Sequence, residues 1–397
     1  MQRNPVPTGE ICGLIALVAG EASGDQLGAA LMRAIRVHQP DMRFAGIGGP
    51  LMKAEGMDSW WDSSVLSVMG LVEVISHLPR LLKLRRQLVA RLFSASPDVF
   101  IGIDAPDFNL GVEKILKAGK IPVIHYVSPT VWAWRPGRVV TIAVATERVL
   151  CLFPFEPDYY KDQDVVAEYT GHPLADEIPF DIDKMQARVE FGIGNAPHCV
   201  TLLPGSRSAE VSKLSKPMLD AADVLTQRYP GMCFLMPAAS PEIGEYLNAE
   251  IRKHPAINCL VVSGSAKQSM AAADVVICAS GTATLETMLV NRPMVVCYRL
   301  AGLSYLIIKW FNLLKSRFFS LPNILASEHL VIELLQKDVN GKRIADEVCR
   351  WMDDPESREV LYQRFDLLHR ELKTDAAASA ARAVLNHIGM AHDNISD

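Results

Sequence analysis

No run of about 20 apolar residues occurs in this chain of 397 residues, so no membrane-crossing helix is expected. No two of its eight cysteines form a CxxC pair. Cys12, Cys151, Cys199, Cys233, Cys259, Cys278 and Cys297 each sit in a short apolar or β-branched run. Buried free thiols in strands are expected, not disulfides or a zinc site, and this goes with a reducing compartment. The first apolar run, residues 11–19, lacks a convincing basic segment and runs straight into Gly20-Glu21-Ala22-Ser23-Gly24-Asp25. A first strand and turn are expected there, not an export signal. Positive charge is not in surplus either: 40 Lys and Arg against 45 Asp and Glu leave a net charge of −5, so no nucleic-acid partner is expected. With 49% hydrophobic and 21% charged residues, the chain has a globular balance that excludes disorder, collagen and coiled coil.

Acids are missing locally as well. Residues 74–97 contain none, yet carry Arg80, Lys83, Arg85, Arg86 and Arg91 among seven Leu and Phe side chains, with Trp60 and Trp61 just upstream. Residues 287–327 also contain none and carry Arg292, Arg299, Lys309, Lys315 and Arg317 among large apolar residues. A basic, apolar helix suits an anionic membrane surface. The same pattern also fits a helix packed on a sheet with its charges in water.

Strand-like runs alternate with helical patterns. In the first half the strands are expected at 12–19, 43–47, 99–103, 122–127, 149–153 and 165–169. After a turn-rich hinge at 171–183 they resume at 199–203, 233–236, 259–262, 275–278 and 294–298. The runs are continuously apolar, as in parallel strands covered on both faces. Two doubly wound sheets follow. The Ala-rich stretch 376–383 is expected to be helix.

In such sheets ligands bind beyond the carboxyl ends of the strands. After the first strand, Gly20 and Gly24 are expected to allow a tight turn, with Ser23 or Asp25 capping the next helix. After the third, Asp104 stands where a carboxylate can act as a general base or simply accept turn hydrogen bonds. Pro106 is expected to push Ala105 to extended geometry, and Asn109 to cap the following helix. His125 reads as a core histidine, and Trp132 and Trp134 as sugar-stacking or interface residues. In the second half, Gly205-Ser206-Arg207 and Ser280-Gly281-Thr282 each follow a strand and open a helix, which suits two phosphates. Arg207 offers a bidentate grip, and Glu286 lies one turn further on, facing ribose hydroxyls. The triplets Asp162-Gln163-Asp164 and Asp181-Ile182-Asp183 read as solvated acids and a helix cap, not as a magnesium site.

Taken in order, GEASGD (20–25), GIDAPDFN (102–109), HYVSPTVWAW (125–134), GHPL (171–174), LPGSRSAEV (203–211), ASGTATLE (279–286) and SLPN (320–323) resemble the lipid-A-disaccharide synthase family. The resemblance implies an α/β protein of the GT-B type, two Rossmann-like doubly wound domains facing a cleft, with a C-terminal helix crossing back to the first. It implies an acceptor and membrane domain at 1–178, a UDP-sugar domain at 179–354 and returning helices at 355–397. The implied reaction is an inverting hexosyl transfer. UDP-2,3-diacylglucosamine and 2,3-diacylglucosamine 1-phosphate (lipid X) would give the β(1→6) lipid A disaccharide 1-phosphate and UDP. The implied setting is the cytoplasmic face of the inner membrane of a Gram-negative cell, on its anionic surface, with no cofactor, no metal, and a homodimer compatible.

By the same resemblance Asp104 is the base. Gly205, Ser206, Arg207, Ser280, Gly281, Thr282, Glu286, Asn323 and Gln336 serve the donor, and Glu21, Ser23, Ser128 and Trp132 the acceptor side. Residues 300–319 match no motif and nothing is carried over to them. The alternative is a non-hydrolysing UDP-sugar epimerase of the same fold, which has no need of acid-free apolar helices. A nicotinamide oxidoreductase lacks its GxGxxG turn here, and a periplasmic sugar-binding protein would need a signal peptide.

Overall fold

The computed structural model describes residues 13–67, 74–129, 137–299 and 317–389. Cys12, Trp132, Trp134 and residues 300–316 of the second acid-free stretch lie outside them. The chain divides into two compact units, one running to Pro173 and completed by the chain from Thr374, the other Leu174–Lys373.

The first unit holds seven strands: β1 (Leu14–Ala19), β2 (Arg43–Gly48), β3 (Asp58–Asp62), β4 (Val99–Ile103), β5 (Val123–Tyr126), β6 (Arg148–Cys151) and β7 (Val166–Tyr169). They form one parallel sheet in the order β3-β2-β1-β4-β5-β6-β7. The central strands are apolar on both faces because helices cover both; Ile15 to Ala19 are all at 0% exposure. Removing each of the Ile15, Leu17 and Val18 side chains from water is worth about 1.5–3 kcal/mol. The helix Ala22–His38 packs against the last helix, Ala376–His387. That Ala-rich helix starts from Asp375, whose carboxylate accepts the Ala378 N–H at 3.2 Å.

The second unit repeats the plan with β8 (Cys199–Leu203), β9 (Cys233–Ala238), β10 (Asn258–Ser263), β11 (Val275–Ala279), β12 (Met294–Tyr298) and β13 (Ile332–Leu335). Its order is β10-β9-β8-β11-β12-β13, again parallel. Cys151, Cys199, Cys233, Cys278, Cys297 and Cys349 are buried free thiols, and Cys259 is half-buried.

Two strands escape the sequence pattern, β3 (Asp-Ser-Trp-Trp-Asp) and β13 (Ile-Glu-Leu-Leu). Each is the last strand of its sheet, has only one neighbour and stays partly exposed, so no continuous apolar run announces it. The sequence reading divided the chain at 178/179 and 354/355; the contact division falls at 173/174 and 373/374. The helix Pro355–Leu372 belongs to the second unit because it packs on the helices Thr282–Leu289, Leu321–Ala326 and Gly341–Asp353.

Candidate active site

The order of the second sheet reverses between β8 and β11, which pair directly. The loop after β8 turns at Gly205, with φ +119°. A Cβ at Gly205 would lie 2.7 Å from that of Glu210, so both backbone angle and space require glycine. Arg207 follows in extended geometry and opens the helix Ser208–Arg228. Its side chain is 82% exposed, and Glu210, 3.6 Å away, is a loose partner. The fork therefore stays open to an incoming anion.

The loop after β11 turns at Gly281, with φ +136° and ψ −156°, a region essentially reserved for glycine. The helix Thr282–Leu289 starts there. Ser280 Oγ donates to the Phe319 carbonyl at 2.7 Å.

These loops, with Pro237–Ala239 and Gly264–Ala266, line a cavity of about 450 Å³ beyond the carboxyl ends of the strands. Two helix N-termini and the Arg207 guanidinium supply positive groups to it, while Leu203, Pro237 and Met270 give it an apolar wall. Glu286 also lines it; burial raises its carboxyl above the ordinary range, and Lys267 pulls the other way.

The structure thus gathers Gly205, Ser206, Arg207, Ser280, Gly281, Thr282 and Glu286 in one pocket, and places Asn323 and Gln336 outside its lining. Asn323 is fully buried. Its amide nitrogen donates to Val331 O at 2.9 Å, and its oxygen accepts from Leu330 N and Val331 N at 2.8 and 2.9 Å. Its helix, Leu321–Ala326, is tied to the pocket helix by Leu321 N donating to Thr284 Oγ1 at 3.2 Å. Gln336 has φ +52°, and its buried Nε2 has no partner among the described residues.

Glu210 and Ser265 complete the lining without a sequence signal of their own. Glu333 on β13 is a further unannounced contributor. Its carboxylate accepts from Ser320 N at 2.7 Å and Ser320 Oγ at 2.6 Å, and so holds residues 319–320 beside Ser280.

In the first sheet the reversal falls between β1 and β4. Gly20-Glu21 leaves β1 and Asp104-Ala105 leaves β4. The turn is tight, with only Gly20 and Glu21 between β1 and the helix Ala22–His38, but Gly20 and Gly24 do not adopt positive φ; they are glycines for lack of space. A Cβ on Gly20 would meet Leu66 at 3.3 Å, and one on Gly24 would meet Ala19 at 3.3 Å. Glu21, exposed, occupies the position before the helix Ala22–His38 without a side-chain cap bond, and Ser23 is exposed in its first turn. Asp25 does not cap its own helix either. Its buried carboxylate accepts from Gly49, Leu51 and Met52 N–H at 2.9, 2.9 and 3.0 Å, capping the helix Pro50–Ala54 instead.

Asp104 and Ala105 are both left-handed, with φ +49° and +44°, at a cost of about 1–2 kcal/mol each. The extended Ala105 expected before Pro106 is thus corrected. Pro106 still suits the first position of the helix Pro106–Ala118, and hydrogen bonds impose the turn. Asp104 N donates to Tyr126 O at 2.8 Å, and Phe108 N and Asn109 N both donate to Ala105 O at 3.0 Å. Asn109 is likewise not the cap. It lies inside the helix, fully buried, and its Nδ2 donates back to Asp104 O at 2.8 Å and Ile103 O at 3.3 Å.

On the neighbouring strand end, Val127 also has positive φ, +81°, which is costly for a β-branched residue. Strain concentrated at two adjacent strand ends is typical of functional sites. Asp104 itself is half-buried. Ser128 is buried, and its hydroxyl pairs with Tyr160 OH at 2.8 Å; burial pushes the Tyr160 phenol up.

Two parallel doubly wound units, each with a strand-order reversal, define an α/β protein of the GT-B type. Solved structures agree in fold. A putative UDP-N-acetylglucosamine 2-epimerase from Listeria monocytogenes superposes with a TM-score of 0.63 at 12% identity, covering 96% of this chain and 98% of that one. The glycotransferase of kitacinnamycin gives 0.62 at 17% identity, covering 94% and 99%.

The family described as lipid-A-disaccharide synthetase matches residues 15–384. The lipid-A-disaccharide synthase of Xylella fastidiosa (strain M12) is 46% identical over 372 residues, 93% of this chain and 97% of that protein. The chain belongs to the lipid-A-disaccharide synthase family. It is a hexosyltransferase of lipid A biosynthesis.

Proposed function

We propose that the chain transfers the 2,3-diacylglucosamine of its UDP donor to the 6-hydroxyl of 2,3-diacylglucosamine 1-phosphate, with inversion and release of UDP. The observation that carries the reading is the pocket at the β8/β11 reversal, where two glycine turns, two helix N-termini and Arg207 converge. As the bond from the anomeric carbon to the diphosphate breaks, its electron pair leaves with UDP. Arg207 and the N–H groups around Gly205-Ser206 and Gly281-Thr282 stabilise that negative charge. Glu286 accepts from ribose hydroxyls. In the first unit Asp104 takes the proton from the acceptor hydroxyl as its oxygen bonds to the anomeric carbon. One base suffices for inversion, unlike the two carboxylates of glycosidases. Glu21 and Ser23, exposed beside that turn, are the described candidates for acceptor contacts. Ser128 supports the neighbouring β5 end from within, and Asn323 acts by holding its loop.

Both substrates are acylated, so we place the protein on the cytoplasmic face of the inner membrane as a peripheral protein. No helix among the described residues is long and apolar enough to cross a membrane. In the helix Val74–Ala95, Leu84, Leu88 and Leu92 are buried in the core. Arg80, Lys83 and Arg86 are exposed, and so are Leu82 and Phe93. Arg91, also exposed, is engaged over the Trp60 ring at 4.4 Å. The exposed face is the docking surface for anionic headgroups.

Incubation with the acylated donor and acceptor, followed by separation and mass analysis of products, tests the reaction. The β(1→6) disaccharide with one UDP per product is the expected result. Conversion of the donor to its epimer without coupling would establish the epimerase reading instead.

A further inference from the structure

The inward face of the helix Pro106–Ala118 carries a polar cluster that the proposed chemistry does not use. Glu113, one helical turn after Asn109, meets His125 on β5 at 2.6 Å between Oε1 and Nδ1, and both side chains are at 0% exposure. Gly102 on β4, paired in register with His125, makes room for them. A Cβ at Gly102 would lie 2.1 Å from Glu113 Oε1 and 3.0 Å from Asn109 Cβ. Burial raises the Glu113 carboxyl, and His125 opposes it.

A hydrophobic core has no need of this arrangement. Burying a carboxyl and an imidazole together is expensive, and a buried pair of this kind is often matched or bettered in stability by apolar side chains of similar volume. Three polar atoms of the cluster, Glu113 Oε2, His125 Nε2 and Asn109 Oδ1, have no partner among the described residues. Such groups call for an explanation beyond packing.

The cluster's connections supply it. The Glu113–His125 bond fixes the helix Pro106–Ala118 in rotation and height against β4 and β5. Asn109 sits on the same helix face and ties down the carbonyls of Ile103 and Asp104, while Tyr126, next to His125, accepts from Asp104 N. The left-handed Asp104–Ala105 turn is therefore clamped from both sides by groups whose positions depend on this bond. We propose that Glu113 and His125 form a positioning pair that sets the Asp104 carboxylate for proton transfer and leaves nucleotide binding untouched. The inference rests on Asp104 as the base.

The test is the double variant Glu113→Met/His125→Leu, assayed for turnover, for UDP affinity by calorimetry and for thermal midpoint. Expected are a midpoint within a few degrees of wild type, unchanged UDP affinity and kcat lowered at least tenfold. Glu113→Gln, which keeps an acceptor for His125 Nδ1–H but not the charge, should recover part of that loss and stay three- to tenfold below wild type. Wild-type kcat in the double variant overturns the proposal. If the double variant does not fold, Glu113→Gln decides alone. A three- to tenfold fall in kcat at constant midpoint and UDP affinity supports the pair, and no fall overturns it. Asp104→Asn, run in parallel, separates the two ideas. If it lowers turnover by orders of magnitude while the pair variants keep wild-type kcat, only this inference fails; if Asp104→Asn turns over normally, the assignment of the base fails.

Discussion

Gly20 and Ala105 meet across the reversal point of the first sheet: a Cβ on Gly20 would lie 3.4 Å from that of Ala105. The loop after β1 is thus the wall of the turn that carries Asp104. Two motifs that start 82 residues apart in sequence, GEASGD at 20 and GIDAPDFN at 102, meet because the order β1-β4 makes their strands neighbours.

Asp104→Asn should retain the fold, because asparagine tolerates the left-handed region better than most residues. It should also retain UDP binding, since the pocket proposed for the nucleotide belongs to the other unit. We expect kcat to fall by about 10²–10⁴-fold, the range for loss of a general base. Steady-state turnover beside calorimetric UDP binding checks both halves, and turnover near wild type removes Asp104 from the role.

Arg207→Ala should weaken UDP binding by about 1.5–3 kcal/mol, the worth of a charge-assisted contact. Glu286→Gln should weaken uridine nucleotides without altering acceptor KM. Gly281→Ala isolates backbone strain: a Cβ there has no atom of the described residues within 4 Å to strike, so loss of stability or UDP affinity is attributed to the φ of +136°. UDP affinity unchanged in all three variants would put the nucleotide elsewhere.

Much of this was legible in the sequence, for physical reasons that can be named. Buried parallel strands must be continuously apolar, so β1, β4, β8 and β11 stand out, and with them the loops that follow. Glycines required by backbone angle, Gly205 and Gly281, sit in recognisable strand-to-helix turns. What stayed hidden depends on partners distant in sequence. Asp25 looked like a cap for its own helix, yet its carboxylate serves a helix 25 residues on. Asn109 looked like a cap, yet it turns inward to the carbonyls of Ile103 and Asp104. Ala105 was expected to be extended from the local rule for residues before proline, and three hydrogen bonds override that rule. Glu333 gave no signal, because an edge strand of four residues has no pattern to read.

His172, in the GHPL segment, should make the first unit acid-sensitive. Burial lowers its pKa from 6.5 to about 4; its ring lies 5.2 Å from that of Phe153. Because the folded value lies below the unfolded one, its contribution to stability is fully present above about pH 6.5. It is lost as the pH falls toward 4, where the unfolded chain binds the proton that the folded chain refuses. The shift corresponds to roughly 3 kcal/mol. Burial also lowers the pKa of His369, which gives the second unit a slope of the same sign. Urea midpoints at pH 7 and pH 4.5 should differ less in His172→Phe than in wild type. An identical pH slope in the variant contradicts the assignment.

The last prediction concerns the surface of the helix Val74–Ala95. Its buried stripe, Leu84, Leu88 and Leu92, is core, so only the outer face is available to a membrane. That face presents Arg80, Lys83 and Arg86, and no carboxylate among the described residues pairs with any of the three. Arg85 is different. Its Nη1 lies 2.2 Å from where a Gly111 Cβ would stand, so it lies along the helix Pro106–Ala118, and its removal would confuse docking with folding. The informative variant is therefore Arg80→Ser/Lys83→Ser/Arg86→Ser with Arg85 and Arg91 kept. Each well-placed cation should contribute about 1 kcal/mol toward an anionic bilayer, and salt should screen it within a Debye length of about 10 Å at 0.1 M. We expect the wild type to sediment with vesicles containing anionic lipid at low salt and to be partly released as salt rises. The triple variant should bind vesicles far less and lose activity on vesicle-borne substrate, while keeping most of its activity on substrate dispersed in detergent. If wild type and variant sediment equally, or the wild type does not sediment at all, these charges do no more than solvate a packed helix.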